Sequence, residues 1–247
     1  MTLSASELAA ATPTSRDRYV DLLRVAALGC VMVGHFLMAG VDRFPDGSVS
    51  VSNSLVAVPE ARFLTWLFQV MPVFFVVGGF SHAVALRSLR RRHGTYADFA
   101  EARTRRLLEP TAAFVSFGVL AAVLVELSGT PDLTVEFALR IIGQPLWFVG
   151  IYLLVVAFAP RMLDLHDRFG VRVVAVLAAG VVLVDVARIG FDLPLVGYLN
   201  FVVVWLAIHQ VGFFWADGRL LRRTVALWLV VAGGAAAVLL VALGPYP

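Results

Sequence analysis

Asp21, Arg24 and His35 stand in one otherwise apolar run near the N-terminus. At about 100° per helical residue, Asp21 and Arg24 lie about 60° apart. Arg24 and His35 differ by only about 20° around the helix and about 16 Å along it. One helix face therefore carries a carboxylate, a guanidinium and an imidazole. Imidazole, with an unperturbed pKa near 6.5, exchanges a proton near neutrality and suits general-base work. The guanidinium is a permanently charged donor fork for a phosphate or a developing oxyanion, and Asp21 can orient it. For Asp21 and Arg24 the structural alternative is an interfacial ion pair with Arg24 reaching to water. His35 sits too deep to reach water, and an ionisable residue at such depth marks a functional position by default. Its own alternative is a hydrogen-bonded packing histidine.

The run is one of many. The 247 residues are 60% hydrophobic and only 15% charged, with mean hydropathy +0.87, whereas soluble domains hold about 45–50% apolar and about 25% charged residues. This excludes a soluble domain of useful size and implies a multi-pass, all-α transmembrane protein. Net charge +3 and a pI near 9.5 do not make it a nucleic-acid binder, because that needs a solvent-exposed basic face. All twenty basic residues are arginine. The single cysteine, Cys30, excludes an internal disulfide or a Cys-based zinc site and falls on the helix face opposite His35. No His/Glu metal spacing and no glycine-rich phosphate loop occurs, so neither a metal nor a resident cofactor is expected.

Seven membrane helices are expected at about 19–39, 63–86, 107–127, 145–160, 171–187, 195–215 and 224–243. Pro72 and the pair Gly78-Gly79 fall in the second, where neighbouring helices must support them. Residues 1–17 lack a basic start before an apolar run and read as a disordered cytoplasmic tail, with 18–247 as the transmembrane domain. With the N-terminus cytoplasmic, sixteen arginines fall on the inner side and only Arg43, Arg62, Arg140 and Arg188 on the outer. The positive-inside rule therefore sets the N-terminus in the cytoplasm of a multi-pass cell-membrane protein.

The segment Asp21-Leu-Leu-Arg24, ten residues and then His35 resembles the start of the acyltransferase-3 family of membrane acyltransferases. Three further segments resemble that family in order. Phe74-Phe-Val-Val-Gly-Gly-Phe80 is similar to its aromatic-Ser-Gly-Phe segment, with Gly78 where Ser is common. Phe99 followed by Arg103-Thr-Arg-Arg-Leu-Leu-Glu-Pro110 is similar to its Arg-rich entry to the third helix, and Leu146-Trp-Phe148 to its Leu-Trp-Phe helix start. The resemblance covers residues 16–160 by motif and the remainder by hydropathy. Family members commonly have about ten membrane helices, so the expectation is a family domain incomplete at its C-terminal end.

The resemblance implies an acyltransferase for groups other than amino-acyl groups. It would move an acyl group, acetyl in the simplest case, from cytoplasmic acyl-CoA as co-substrate to a hydroxyl of an extracytoplasmic glycan or lipid-linked acceptor. His35 would serve as general base or itself carry the acyl group. Arg24 would hold a CoA phosphate or the thioester oxygen, and Asp21 would orient Arg24. Arg103 and Arg106 are the expected donor-binding residues. Arg87, Arg90, Arg91 and Arg92 read instead as topology determinants meeting lipid headgroups. Trp147 is assigned to acceptor-sugar stacking, with interfacial anchoring as its structural reading. His209-Gln210 would be a second polar contact to the pocket, and Ser81-His82 reads as interfacial. Two competing readings are a transporter or flippase using the Asp21-Arg24-His35 path and an inactive, truncated homologue.

Overall fold

The computed structural model describes residues 17–45, 49–53, 68–128 and 146–243, with Ala11 and Gly143 as isolated positions. Arg16, Arg62, Arg140, most of the expected tail and the last four residues lie outside the described residues. Seven described helices are long and apolar enough to cross a membrane, so the protein is an all-helical membrane protein. Seven α-helices form the frame: α1 Arg18–Met38, α2 Met71–Arg91, α3 Tyr96–Leu127, α4 Leu146–Phe169, α5 Val171–Asp185, α6 Asn200–Ala216 and α7 Arg223–Leu243. The chain divides into two compact units, Met1–Val77 and Gly78–Pro247.

In the first unit α1 leads directly into a short antiparallel hairpin, β1 Ala39–Arg43 and β2 Val49–Asn53, in register Ala39↔Asn53, Val41↔Val51 and Arg43↔Val49. This hairpin is the one sheet among the described residues. The second unit packs α6 against α4 and α5, and α3 against α4. Lipid tails are as apolar as Leu, so close packing and interhelical hydrogen bonds must hold such helices together. The buried Val155, Ala159 and Leu163 of α4 and Leu206 and Phe213 of α6 supply the packing.

Three helices run further than the hydropathy suggests, α2 reaching Arg91 rather than about 86. α3 begins at Tyr96 rather than near 107, because Thr95 and Asp98 close a capping box: the Asp98 N–H donates to Thr95 Oγ1 at 3.3 Å, and the Thr95 N–H donates to Asp98 Oδ2 at 2.7 Å. The intervening Ala, Glu, Arg and Leu are strong helix formers. α4 continues through Pro160 to Phe169, which puts Asp164, His166 and Asp167 on a helix rather than in a loop. Much of the arginine-rich stretch 87–106 is therefore helical, with only a tight turn at 92–95 between α2 and α3.

α5 ends in a π-helical turn, Val186–Gly190, and a 3-10 segment, Pro194–Leu199, leads into α6. Asn200 bridges the two helices by donating to Asp185 Oδ1 at 3.0 Å and to the Val181 carbonyl at 3.3 Å.

Candidate functional site

The α1 residues form part of the first unit. Arg24 donates to Asp21 Oδ1 at 3.2 Å, an i,i+3 ion pair with the Arg24 side chain 45% exposed. At that exposure the pair contributes at most about 1 kcal/mol and serves chiefly to orient the guanidinium. His35 lies in the last turn of α1, three residues from the helix end rather than deep in the span as expected; it is exposed and makes no hydrogen bond or ion pair among the described residues. Asp21, Arg24 and His35 thus occupy one continuous helix.

The second unit buries a polar centre that hydropathy alone does not reveal. His82 of α2 and His209 of α6 are almost wholly enclosed, with His82 Nδ1 and His209 Nε2 3.0 Å apart. The Tyr152 hydroxyl of α4 stands 3.3 Å from His82 Nε2, so three helices meet at one imidazole. The His–His contact needs one N–H and one lone pair, so the pair carries at most one positive charge. If His82 Nδ1 donates, its Nε2 accepts from Tyr152; if His209 Nε2 donates, Nδ1 of His82 accepts and its Nε2 is free to donate. Among the described residues His209 Nδ1 and Gln210 Oε1 are buried without a hydrogen-bond partner, and a buried unpaired polar atom costs about 1–3 kcal/mol.

Glycine makes this contact possible. A Cβ on Gly79 would overlap the His209 carbonyl oxygen and lie 3.1 Å from Gly212 Cα. Small residues at facing positions let two membrane helices bring their backbones together, and here they set His82, one turn beyond Gly79, against His209. Gly78 meanwhile faces the Tyr152 ring. The Gly78-Gly79 pair is therefore a packing surface for α4 and α6.

A second network ties the same helices together at their other polar residues. Gln210 Nε2 lies 3.1 Å from His166 Nδ1, and His166 Nε2 lies 3.0 Å from Asp217 Oδ2, just beyond α6. Arg87 of α2 donates to Asp217 at 2.8 Å and to Asp167 of α4 at 2.9 Å. Arg90 donates to Asp164 at 2.6 Å. Arg87 and Arg90 thus bridge α2 to α4 and to the α6 end. Desolvation pushes the Asp217 carboxyl upward, but hydrogen bonds from His166 and Arg87 and the Arg87 charge outweigh it and hold it below its ordinary value.

Of the expected donor-binding residues, Arg103 sets its guanidinium 5.7 Å from the Phe99 ring centroid, and Phe99 packs edge-on against His82 at 5.3 Å. Arg103 is thereby one ring away from the buried histidine pair, whereas Arg106 is exposed. Trp147 is partly exposed at the start of α4 and packs with Trp205 at 6.0 Å and Phe201 at 6.5 Å. That aromatic cluster is a ready anchor and offers ring faces for stacking. His82, expected at an interface, is instead interior. His209 and Gln210 are interior as well, and His166 carries no distinguishing sequence signal of its own. The signal available for the first pair was helical phase: Gly79 and His82 share one face of α2, as His209 and Gly212 share one face of α6.

No curated protein and no solved structure matches the chain. The profile of the family described as an acyltransferase domain matches residues 17–247, taking in all seven spans and extending well beyond the motif-bearing part. The chain belongs to the acyltransferase-3 family of membrane acyltransferases.

Proposed function

We propose that this membrane acyltransferase moves an acyl group, acetyl in the simplest case, from cytoplasmic acyl-CoA to a hydroxyl of an extracytoplasmic glycan or lipid-linked acceptor. The observation that carries the reading is the family match over residues 17–247, which includes an α1 bearing Asp21, Arg24 and an accessible His35 on one face. The arginine distribution supports an inward N-terminus and a cell-membrane location.

In this reading a neutral His35 ring nitrogen takes the acceptor hydroxyl proton as the oxygen attacks the thioester carbonyl. The C–O bond forms, the C–S bond breaks, and the proton passes to the departing CoA thiolate, giving ester and CoA-SH. Arg24, held by Asp21 about 16 Å along the helix from His35, pairs with a CoA phosphate. Arg103 and Arg106 receive the anionic donor, and Trp147 offers its ring to the acceptor. The second reading, an ion or lipid transporter, draws on the same intramembrane charges but has no support from the family match.

The test is labelled acetyl transfer from acetyl-CoA in membranes that contain the chain and supply the native acceptors. Label should appear in a base-labile ester on a glycan or lipid, in proportion to the amount of protein. Label confined to free acetate or CoA, with none on any acceptor, would refute the reading.

A further inference from the structure

A groove of about 450 Å³ opens where α5 begins, α6 ends and α7 begins, comparable to the pockets of about 300–1,000 Å³ that hold small ligands. Its walls are apolar: Val174 of α5, Val211 and Phe214 of α6, and Leu229 of α7. Its polar lining is two arginines, Arg219 and Arg222, in the connection between α6 and α7. That connection lies between the spans Pro194–Ala216 and Arg223–Ala242, which places both guanidiniums at the membrane–water interface and the apolar walls below them.

The two charges are available to a ligand. Arg219 stands 3.7 Å from Asp217, but that carboxylate already takes Arg87 at 2.8 Å and His166 at 3.0 Å. Its guanidinium lies 5.6 Å from the Phe214 ring centroid, at the groove wall and near Gly170, whose φ of +55° turns the chain from α4 into α5. Arg222 is exposed and forms no ion pair among the described residues. An apolar trough capped by two cations fits a molecule with a hydrocarbon chain and an anionic head. α5 and α7 turn most of their side chains outward, so a chain reaches the trough sideways from the acyl layer.

We propose that this groove is a binding site for an anionic phospholipid, with one acyl chain between α5, α6 and α7 and the phosphate between Arg219 and Arg222. Guanidinium binds phosphate oxygens through paired N–H donors, and basic residues at a membrane surface favour anionic lipid. Phe214 gives the site a connection inward. One side of the ring lines the groove, and the ring packs edge-on against His166 at 4.5 Å, the residue bonded to both Gln210 and Asp217. A bound lipid therefore braces the wall that supports the polar network. The inference stands apart from the acyl-transfer reading, because it rests on the groove alone.

The test is native mass spectrometry of the full chain in detergent micelles doped with equimolar phosphatidylglycerol and phosphatidylcholine of the same chains. Wild type should retain phosphatidylglycerol over phosphatidylcholine by about tenfold or more, two interfacial arginines acting together. The Arg219→Gln/Arg222→Gln variant should lose that preference. Leu229→Trp, which fills the groove from an exposed position, should lower retention of both lipids while the melting temperature and elution volume stay unchanged. Equal retention of the two lipids by wild type would overturn the proposal. So would a double variant that still prefers phosphatidylglycerol, or displacement of the lipid by equimolar long-chain acyl-CoA, which would make the groove a donor-chain site.

Discussion

Gly79→Ala is the smallest change that challenges the contact between α2 and α6. The added methyl would overlap the His209 carbonyl oxygen, with Gly212 Cα behind it at 3.1 Å. Backbone cannot swing aside as a long side chain does, so the helices must part by roughly 1 Å or more to reach ordinary contact distance. The 3.0 Å His82–His209 bond then stretches beyond hydrogen-bonding range. Overpacking costs about 1–3 kcal/mol, and leaving buried imidazole nitrogens unpaired costs about 1–3 kcal/mol more. A loss of about 2–6 kcal/mol corresponds to a melting temperature lower by about 5–20 °C. Gly233→Ala on α7, where a Cβ meets nothing within 4 Å, is the control and should stay within about 0.5 kcal/mol of wild type. Thermal unfolding of the three proteins in one detergent measures the difference. A Gly79→Ala protein as stable as the Gly233→Ala control would refute the close approach and the geometry of the histidine pair with it.

Other outcomes follow from the same contacts. His82→Phe and His209→Phe should each destabilise by about 1–3 kcal/mol, since each removes the partner of the facing ring nitrogen on the other, while the double variant should regain part of that loss. If the double variant regains stability yet transfers no acyl group, the pair acts in the reaction; full activity would make it structural. Asp217 has a folded-state pKa below its ordinary 3.8. Its contribution is therefore complete above that value and lost as pH falls through the folded pKa. Unfolding measured from about pH 5 to about pH 3 should show wild type losing more stability than Asp217→Asn; parallel curves would contradict the role given to Arg87 and His166. Arg103→Ala should raise KM for acyl-CoA about tenfold or more, the loss of one charge-assisted contact, with a smaller effect for the exposed Arg106→Ala. Steady-state kinetics showing the reverse order would remove Arg103 from the donor site.

The helices were legible because a span must be long and apolar, and apolar runs are local. Their ends were not. The Thr95-x-x-Asp98 capping box and the helix-forming residues after it start α3 early, and polar composition hides this from a hydropathy reading. Pro160 suggests a stop, yet neighbouring helices satisfy the groups it frees, so α4 runs on and delivers His166 and Asp167. Asp21, Arg24 and His35 could be placed on one face because they share one helix of known pitch. His82, His166 and His209 lie on three helices, and their meeting depends on how those helices are rotated and how closely they approach. No local pattern encodes that rotation, and Gly79 and Gly212 acquire their meaning only once α2 and α6 are seen together.

The proposed reaction is acyl transfer with His35 as base. The direct test compares labelled acetyl transfer by wild type and His35→Ala at matched amounts of protein with matched melting temperatures. Wild type should label the acceptor, and labelling should fall by at least about 10²-fold on loss of the imidazole, the scale of one general base. Equal labelling by the two proteins would contradict it.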